Sequence, residues 1–227
     1  MSTPSKEAPQ TGKSMPGPRA ADAGPDAMDP TVQATVTPTP ERPPEATAQT
    51  PPSGWAAGAD RMLATLRIAL GLVFAWAFLD KLFGLGYSTP GARAWINGGS
   101  PTRGFLGSID QGPFASMFRG MAGTWWADWL FMLGLLGLGA ALVLGIGLRV
   151  AAVGGTILMA MMWLAEWPPA KINNAGEPTG STNPFIDYHV IYALVMITMA
   201  MTLAGHRWGL GRRWAELGIV QRNRWLL

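Results

Sequence analysis

Residues 126–167 read WADWLFMLGLLGLGAALVLGIGLRVAAVGGTILMAMMWLAEW, and only Asp128, Arg149 and Glu166 among them are charged. A bilayer's hydrocarbon core accepts roughly 20 apolar residues as helix. The stretch therefore reads as two spans, Trp126–Ile146 and Val150–Trp167, joined through Gly147, Leu148 and Arg149 as a tight antiparallel hairpin. Small residues recur at Gly137, Ala141 and Gly145, one per helical turn, as expected where another membrane helix approaches closely.

Two further apolar runs flank the hairpin. Met62–Leu85 is apolar but for Arg67, Asp80 and Lys81, and Phe185–Gly205 carries Asp187 and His189 near its start. Four such runs in one short chain argue against buried helices of a soluble protein. The expected architecture is all-α: an integral membrane four-helix bundle over residues 59–209, with spans at about 62–85, 126–146, 150–167 and 185–205. The outer loop, 86–124, has apolar residues (Trp95, Phe105, Leu106, Ile109, Phe114, Phe118) broken by Gly and Pro, which predicts short amphipathic helices lying on the bundle or in the interface. Trp125, Trp126 and Trp129 at one span, and Trp163 and Trp167 at the next, mark headgroup level.

The composition changes abruptly before the first span. Residues 1–54 hold 12 of the 19 prolines and no Phe, Trp, Tyr, Ile or Leu. Such a segment buries too little apolar surface to offset the entropy of ordering, so residues 1–58 are predicted to be a disordered tail. The tail contains no apolar signal-peptide core, which leaves targeting to the first span. Residues 210–227 read as a basic C-terminal tail.

Net charge is +3, but the thirteen Lys/Arg beyond residue 54 sit at span ends rather than on one basic face, so nucleic-acid binding is not expected. An even number of spans puts both ends of the bundle's chain on one side. Arg61, Arg149, Arg207, Arg212 and Arg213 gather there, which predicts cytoplasmic N- and C-termini. Arg67, one and a half turns inside that end, is expected to snorkel back to the interface.

The absence of cysteine excludes disulfides, thiolate zinc sites, Cys-ligated iron–sulfur clusters and covalent haem attachment. The two histidines, His189 and His206, lie 17 residues apart on one helix, about 25 Å along its axis, so they cannot share a haem. No structural metal site is expected. The glycines at 134, 137, 139, 145 and 147 belong to spans and their turn, so they form no nucleotide loop.

The ionisable residues of the spans converge on the outer side. Asp80 and Lys81 end the first span, Asp128 begins the second, Glu166 ends the third, and Asp187, Tyr188 and His189 begin the fourth. Charged groups at this depth are costly and are commonly paired or functional. Asp128 reads as an interfacial anchor. Tyr188, His189 and Tyr192 share one side of a helix, and a histidine beside carboxylates suits proton transfer or hydrogen bonding to a quinone.

With these residues in place, the chain resembles the DoxX/DoxD family of small four-span membrane proteins. The first span is similar to that family's Arg…Gly…Phe…Lys opening through Arg67, Gly71, Phe74 and Lys81. The turn LVLGIGLRVAA, residues 142–152, resembles its Leu-Gly…Arg-x-Ala hairpin. Asn183-Pro184 with Asp187-Tyr188-His189 is like the start of its last helix, and WINGGSPTRG, 95–104, resembles a feature of its longer members. The likeness covers residues 61–205. It implies a bacterial cell (inner) membrane protein linked to quinone redox chemistry, as in thiosulfate oxidation with electrons passed to quinone. The chain departs from many members in having Met132-Leu133-Gly134 where they carry an acidic residue, and in having no cysteine.

Two functions are expected from this. One is a redox subunit with a quinone near the outer leaflet: Lys81 stabilises charge on the ring oxygen, Asp187 and His189 relay a proton, Asp80 and Glu166 complete the charged set, and Trp76, Tyr188 and Tyr192 pack around the ring. The other is a non-catalytic scaffold that recruits a soluble or membrane redox partner. A transporter fits less well, since no broken helix pair or inverted repeat can be drawn.

Overall fold

The computed structural model describes residues 53–227; the predicted tail lies outside the described residues except for 53–58, which form the start of the first helix. The order of helices is α1 (Ser53–Phe83), α2 (Arg103–Gly107), α3 (Ala115–Met121), α4 (Trp125–Leu144), α5 (Leu148–Glu166), α6 (Tyr188–Met201), α7 (Gly211–Glu216) and α8 (Gly218–Arg222), with short 3₁₀ turns between. No β-strand occurs among the described residues. The all-α architecture is as the apolar periodicity requires.

Helices α1, α4 and α5 are long and apolar enough to cross a membrane. The fourth, α6, has 14 residues, or about 21 Å of rise, against the 185–205 span expected. Its N-terminus is set by Asp187, whose carboxylate accepts from the backbone N–H groups of His189 and Val190. Its last turn gives way to a 3₁₀ turn at Ala204–His206.

Helix α1 packs along α4, and α5 along α6, with α4 and α5 joined by the hairpin. The shared core comprises Leu70, Phe74, Leu138, Leu142, Met159 and Met196, among others. Outward lie Leu72, Val73, Leu133, Leu136, Val153 and Ile157, all exposed and all apolar. Such a belt is stable only against lipid, which makes this a membrane protein.

Of the Gly137, Ala141, Gly145 stripe, Gly145 meets the backbone of Gly205, but the α1–α4 crossing does not use Gly137. A Cβ at Gly137 would meet nothing within 4 Å, whereas one at Gly139 would lie 2.9 Å from the backbone nitrogen of Ala75. The crossing instead uses Gly139 and Gly71, whose own Cβ would fall 2.8 Å from the Val143 nitrogen. Spacing identifies a face of small residues; only the packing of α1 on α4 decides which glycines it needs.

At the hairpin end, α4 stops at Gly145 in the left-handed region, φ 71°, and α5 follows Gly147, φ 56°. The final carbonyls of a helix lack partners within it. Here each finds one. Ala141 accepts from the N–H groups of Gly145 (2.8 Å) and Ile146 (3.1 Å), and Leu144 accepts from Leu210 N–H at 2.7 Å. Arg67 supplies the rest, donating from Nη1 to the carbonyls of Leu142 and Val143, the latter at 2.9 Å. Its Nη2 donates to Arg207 O (3.3 Å) and Trp208 O (3.0 Å). Arg67 is fully buried, so it does not snorkel. A guanidinium with a forked donor set satisfies more acceptors inside than the interface offers it, and its charge complements the helix C-terminus.

The segment expected as a basic tail is folded. Trp214 Nε1 donates to Leu226 O at 2.7 Å, Arg149 donates to Arg224 O at 3.2 Å, and Val220 is buried. At the opposite end, the loop between α1 and α4 folds onto the bundle. Ile109, Ala115 and Phe118 pack with Ala165 of α5, supported by Phe105, Leu106 and Met161.

Candidate functional site

The loop is tied down by two buried carboxylates. Asp80, 1% exposed, accepts from Tyr87 N–H (3.3 Å), Ser88 N–H (3.1 Å) and Ser88 Oγ (2.6 Å). Asp128 accepts from Ser100 Oγ (2.8 Å), Thr102 N–H (3.1 Å) and Thr102 Oγ1 (2.6 Å) through one oxygen. An ionised carboxylate inside a protein requires such donors, and each set here belongs to the loop. Asp128 thus anchors as expected, but its partners are loop residues rather than headgroups. Asp80 has the same work, so its carboxylate is engaged away from any reacting molecule.

Under the loop lies a cavity of about 640 Å³. Its walls are mainly apolar, with Leu130 and Phe131 from α4, Leu158 and Met162 from α5, and Phe105 and Phe118 from the loop. The polar groups are Lys81 from α1, Ser88, Thr89, Arg93, Ser100 and Thr102 from the loop, Glu166 from the end of α5 and Tyr188 from the start of α6. The size and the mixture suit a small ring-bearing molecule with oxygens at its edge.

Three of the residues expected from the sequence therefore meet at this cavity: Lys81, Glu166 and Tyr188. Lys81 Nζ sits 3.4 Å from Ser88 Oγ and 6.0 Å from the centre of the Phe131 ring. Tyr188 donates its hydroxyl to Glu166 Oε1 at 2.8 Å. His189 and Asp187 stand behind this pair rather than on the cavity wall. His189 is 1% exposed, its Nδ1 lies 2.8 Å from Asp187 Oδ2, and its Nε2 faces Glu166 Oε1 at 3.9 Å. A carboxylate only accepts, so Nδ1 carries the proton toward Asp187. Nε2 is buried and has no hydrogen-bond partner among the described residues.

Trp76 and Tyr192 do not line the cavity. Trp76 is exposed on the apolar belt, edge-on to Tyr87 at 5.1 Å. Tyr192 packs edge-on to Phe74 at 6.3 Å and to Tyr188 at 5.9 Å. Sharing a helical side with Tyr188 put Tyr192 on the correct face, but one turn deeper, below the cavity. The rings actually lining the space, Phe105, Phe118, Trp126 and Phe131, come from the loop and α4. Arg93 was also missed, because one arginine in a Gly/Pro-rich loop has no periodicity to locate it.

Comparisons with curated proteins and with solved structures gave no match. A family model described as DoxX matches residues 62–167, which runs from the first helix through the hairpin and includes Arg67, Lys81 and Glu166. With its apolar belt and its Arg67-capped hairpin, the chain is a membrane protein, and its residues 62–167 are similar to the DoxX family.

Proposed function

We propose that the cavity binds the ring of a membrane quinone and that the chain is a membrane subunit of a quinone-linked oxidoreductase, with sulfur-compound oxidation as the expected branch. One observation carries the reading: a mostly apolar space of about 640 Å³ at the loop end of the bundle, with a lysine and a tyrosine–glutamate pair at its edge. These residues fit the group. Mainly apolar walls accept a ring, and the few polar groups among them suit its oxygens.

A bound quinone supplies two-electron acceptance; the chain's own residues supply position and protons. Lys81, at the cavity wall, would donate a charge-assisted hydrogen bond to a ring oxygen. Tyr188 and Glu166 would form the proton path: Glu166, partly exposed, would take a proton from the surface and pass it to the Tyr188 oxygen as the Tyr188 hydroxyl gives its own to a ring oxygen. The loop, pinned through Asp80 and Asp128, forms one side of the cavity. Electrons come from a partner, soluble or membrane-bound, since the sequence has no cysteine for a cluster and no histidine pair for a haem.

A second reading has support from the same loop. Two of the buried carboxylates are spent on folding it, as expected of a scaffold whose loop face recruits a redox partner. The test is direct. Full-length protein purified in detergent, after lipid extraction, should hold close to one quinone per chain and bind a short-chain quinone saturably. Lys81→Ala and Tyr188→Phe should each weaken that binding by about tenfold, the scale of one good hydrogen bond. Absence of saturable binding, or binding indifferent to both changes, would favour the scaffold.

A further inference from the structure

We propose that His189 and Glu166 form a binding site for one divalent transition-metal ion of the zinc, cobalt(II) or iron(II) class, between the end of α5 and the start of α6. The site shares Glu166 and Tyr188 with the neighbouring cavity but does not require a quinone to occupy it.

Two observations meet here. The first is a cluster: ligand atoms of Glu166, Asp187 and His189 all lie within 4.8 Å of one another. The second is the orphaned nitrogen. His189 Nε2 is buried without a partner among the described residues and points at Glu166 Oε1, 3.9 Å away, too far for a hydrogen bond. A buried imidazole nitrogen left without a partner is costly, and it is satisfied by whatever sits between the two groups.

The surroundings select a cation. Nδ1–H is committed to Asp187 at 2.8 Å, so Nε2 offers a lone pair. A histidine held through one nitrogen by a carboxylate and free at the other is the arrangement by which proteins orient imidazole toward a metal. Asp187 in turn is fixed by capping α6, and Tyr188 fixes Glu166 through its hydroxyl at 2.8 Å. Among the described residues, neither carboxylate has a lysine or arginine within salt-bridge distance. Two acidic groups thus flank the imidazole with no lysine or arginine countercharge.

The geometry needs little adjustment. Tetrahedral ligands at about 2.1 Å from an ion lie about 3.4 Å apart, so the Glu166 carboxylate closes by roughly 0.5 Å. Glu166 is partly exposed and can move that far. Two protein ligands leave the remaining positions to water or to the Tyr188 oxygen, so the site is open. Nitrogen with carboxylate oxygen favours zinc, cobalt(II) or iron(II) over calcium or magnesium.

The test uses the full chain in detergent, stripped with a chelator and titrated with Zn²⁺ alone by calorimetry, then with Co²⁺ by visible absorption. One equivalent should bind with a dissociation constant on the micromolar scale. His189→Gln and Glu166→Gln should each weaken it at least tenfold. Asp187→Asn keeps the helix cap but loses the charge behind Nδ1, and should weaken it by about 10- to 100-fold. His206→Gln, at the other end of the bundle, should bind as the parent does.

Should the His189 variant fail to fold, ¹⁵N-histidine labelling of the parent gives the answer. Zn²⁺ should shift Nε2 of His189 and leave its Nδ1 protonated. No saturable binding up to about 1 mM Zn²⁺, binding undiminished in Glu166→Gln, or a His189 ring whose nitrogen signals are indifferent to Zn²⁺ would each overturn the site. Zn²⁺ binding that persists in Lys81→Ala while quinone binding is lost separates this inference from the quinone reading.

Discussion

Replacing Arg67 with methionine keeps the length and apolar stem of the side chain and removes only the guanidinium. In the parent that group serves two carbonyls in the last turn of α4, Leu142 and Val143, and two in the chain after α6, Arg207 and Trp208. Hydrogen bonds from a charged donor contribute about 1.5–3 kcal/mol each, and three of these four are of ordinary or shorter length. Removing the charge recovers part of that sum, because a buried guanidinium carries a desolvation cost of several kcal/mol. The remainder, about 3–5 kcal/mol, is the cost of leaving carbonyls buried without donors.

For a chain of this size that corresponds to a fall in Tm of roughly 10 °C. Lysine restores the charge but not the fork and should recover less than half of the loss. The assay is thermal unfolding of the purified protein in detergent, with limited proteolysis of the segment after Leu203, which Arg67 ties to the hairpin. A Tm within about 2 °C of the parent and an unchanged digestion pattern would refute the capping argument. That result would instead fit an arginine reaching back to the interface.

Other outcomes follow from the same geometry. Asp128→Ala removes the acceptor for Ser100 and Thr102 and should raise hydrogen exchange across residues 95–124 by one to two orders of magnitude, leaving α4 and α5 protected. Gly139→Ala sets a methyl against the Ala75 backbone and should cost about 1–3 kcal/mol, whereas Gly137→Ala meets open space and should be neutral or slightly stabilising. Trp76→Ala should leave quinone binding unchanged, since the ring lies on the belt against Tyr87 rather than in the cavity. A reporter fused at Leu227 should be active in the cytoplasm, following the arginines at that end; activity only outside it would reverse the expected orientation.

The sequence by itself determined that this is a membrane protein of long apolar helices, that two of them form a hairpin at 145–149, and that ionisable residues gather at one end. Those properties are local: they depend on hydropathy over about 20 residues, on glycine at a turn and on antiparallel order, all one-dimensional. The family likeness, carried by Arg67, Gly71, Lys81 and the Arg149 hairpin, was legible for the same reason, and the match over 62–167 agrees with it.

What each charge does was decided only by tertiary structure. Asp80 and Lys81 are neighbours in sequence, yet one is consumed by Ser88 and Tyr87 and the other reaches the cavity. Tyr188 and Tyr192 share a helical side, yet one turn of depth separates the cavity edge from the core. Arg67 reads as a snorkelling residue until the ends of α4 and α6 are brought beside it. The partner of a buried polar group comes from wherever packing puts an unsatisfied donor or acceptor, and that is a property of three-dimensional neighbours, not of spacing along the chain.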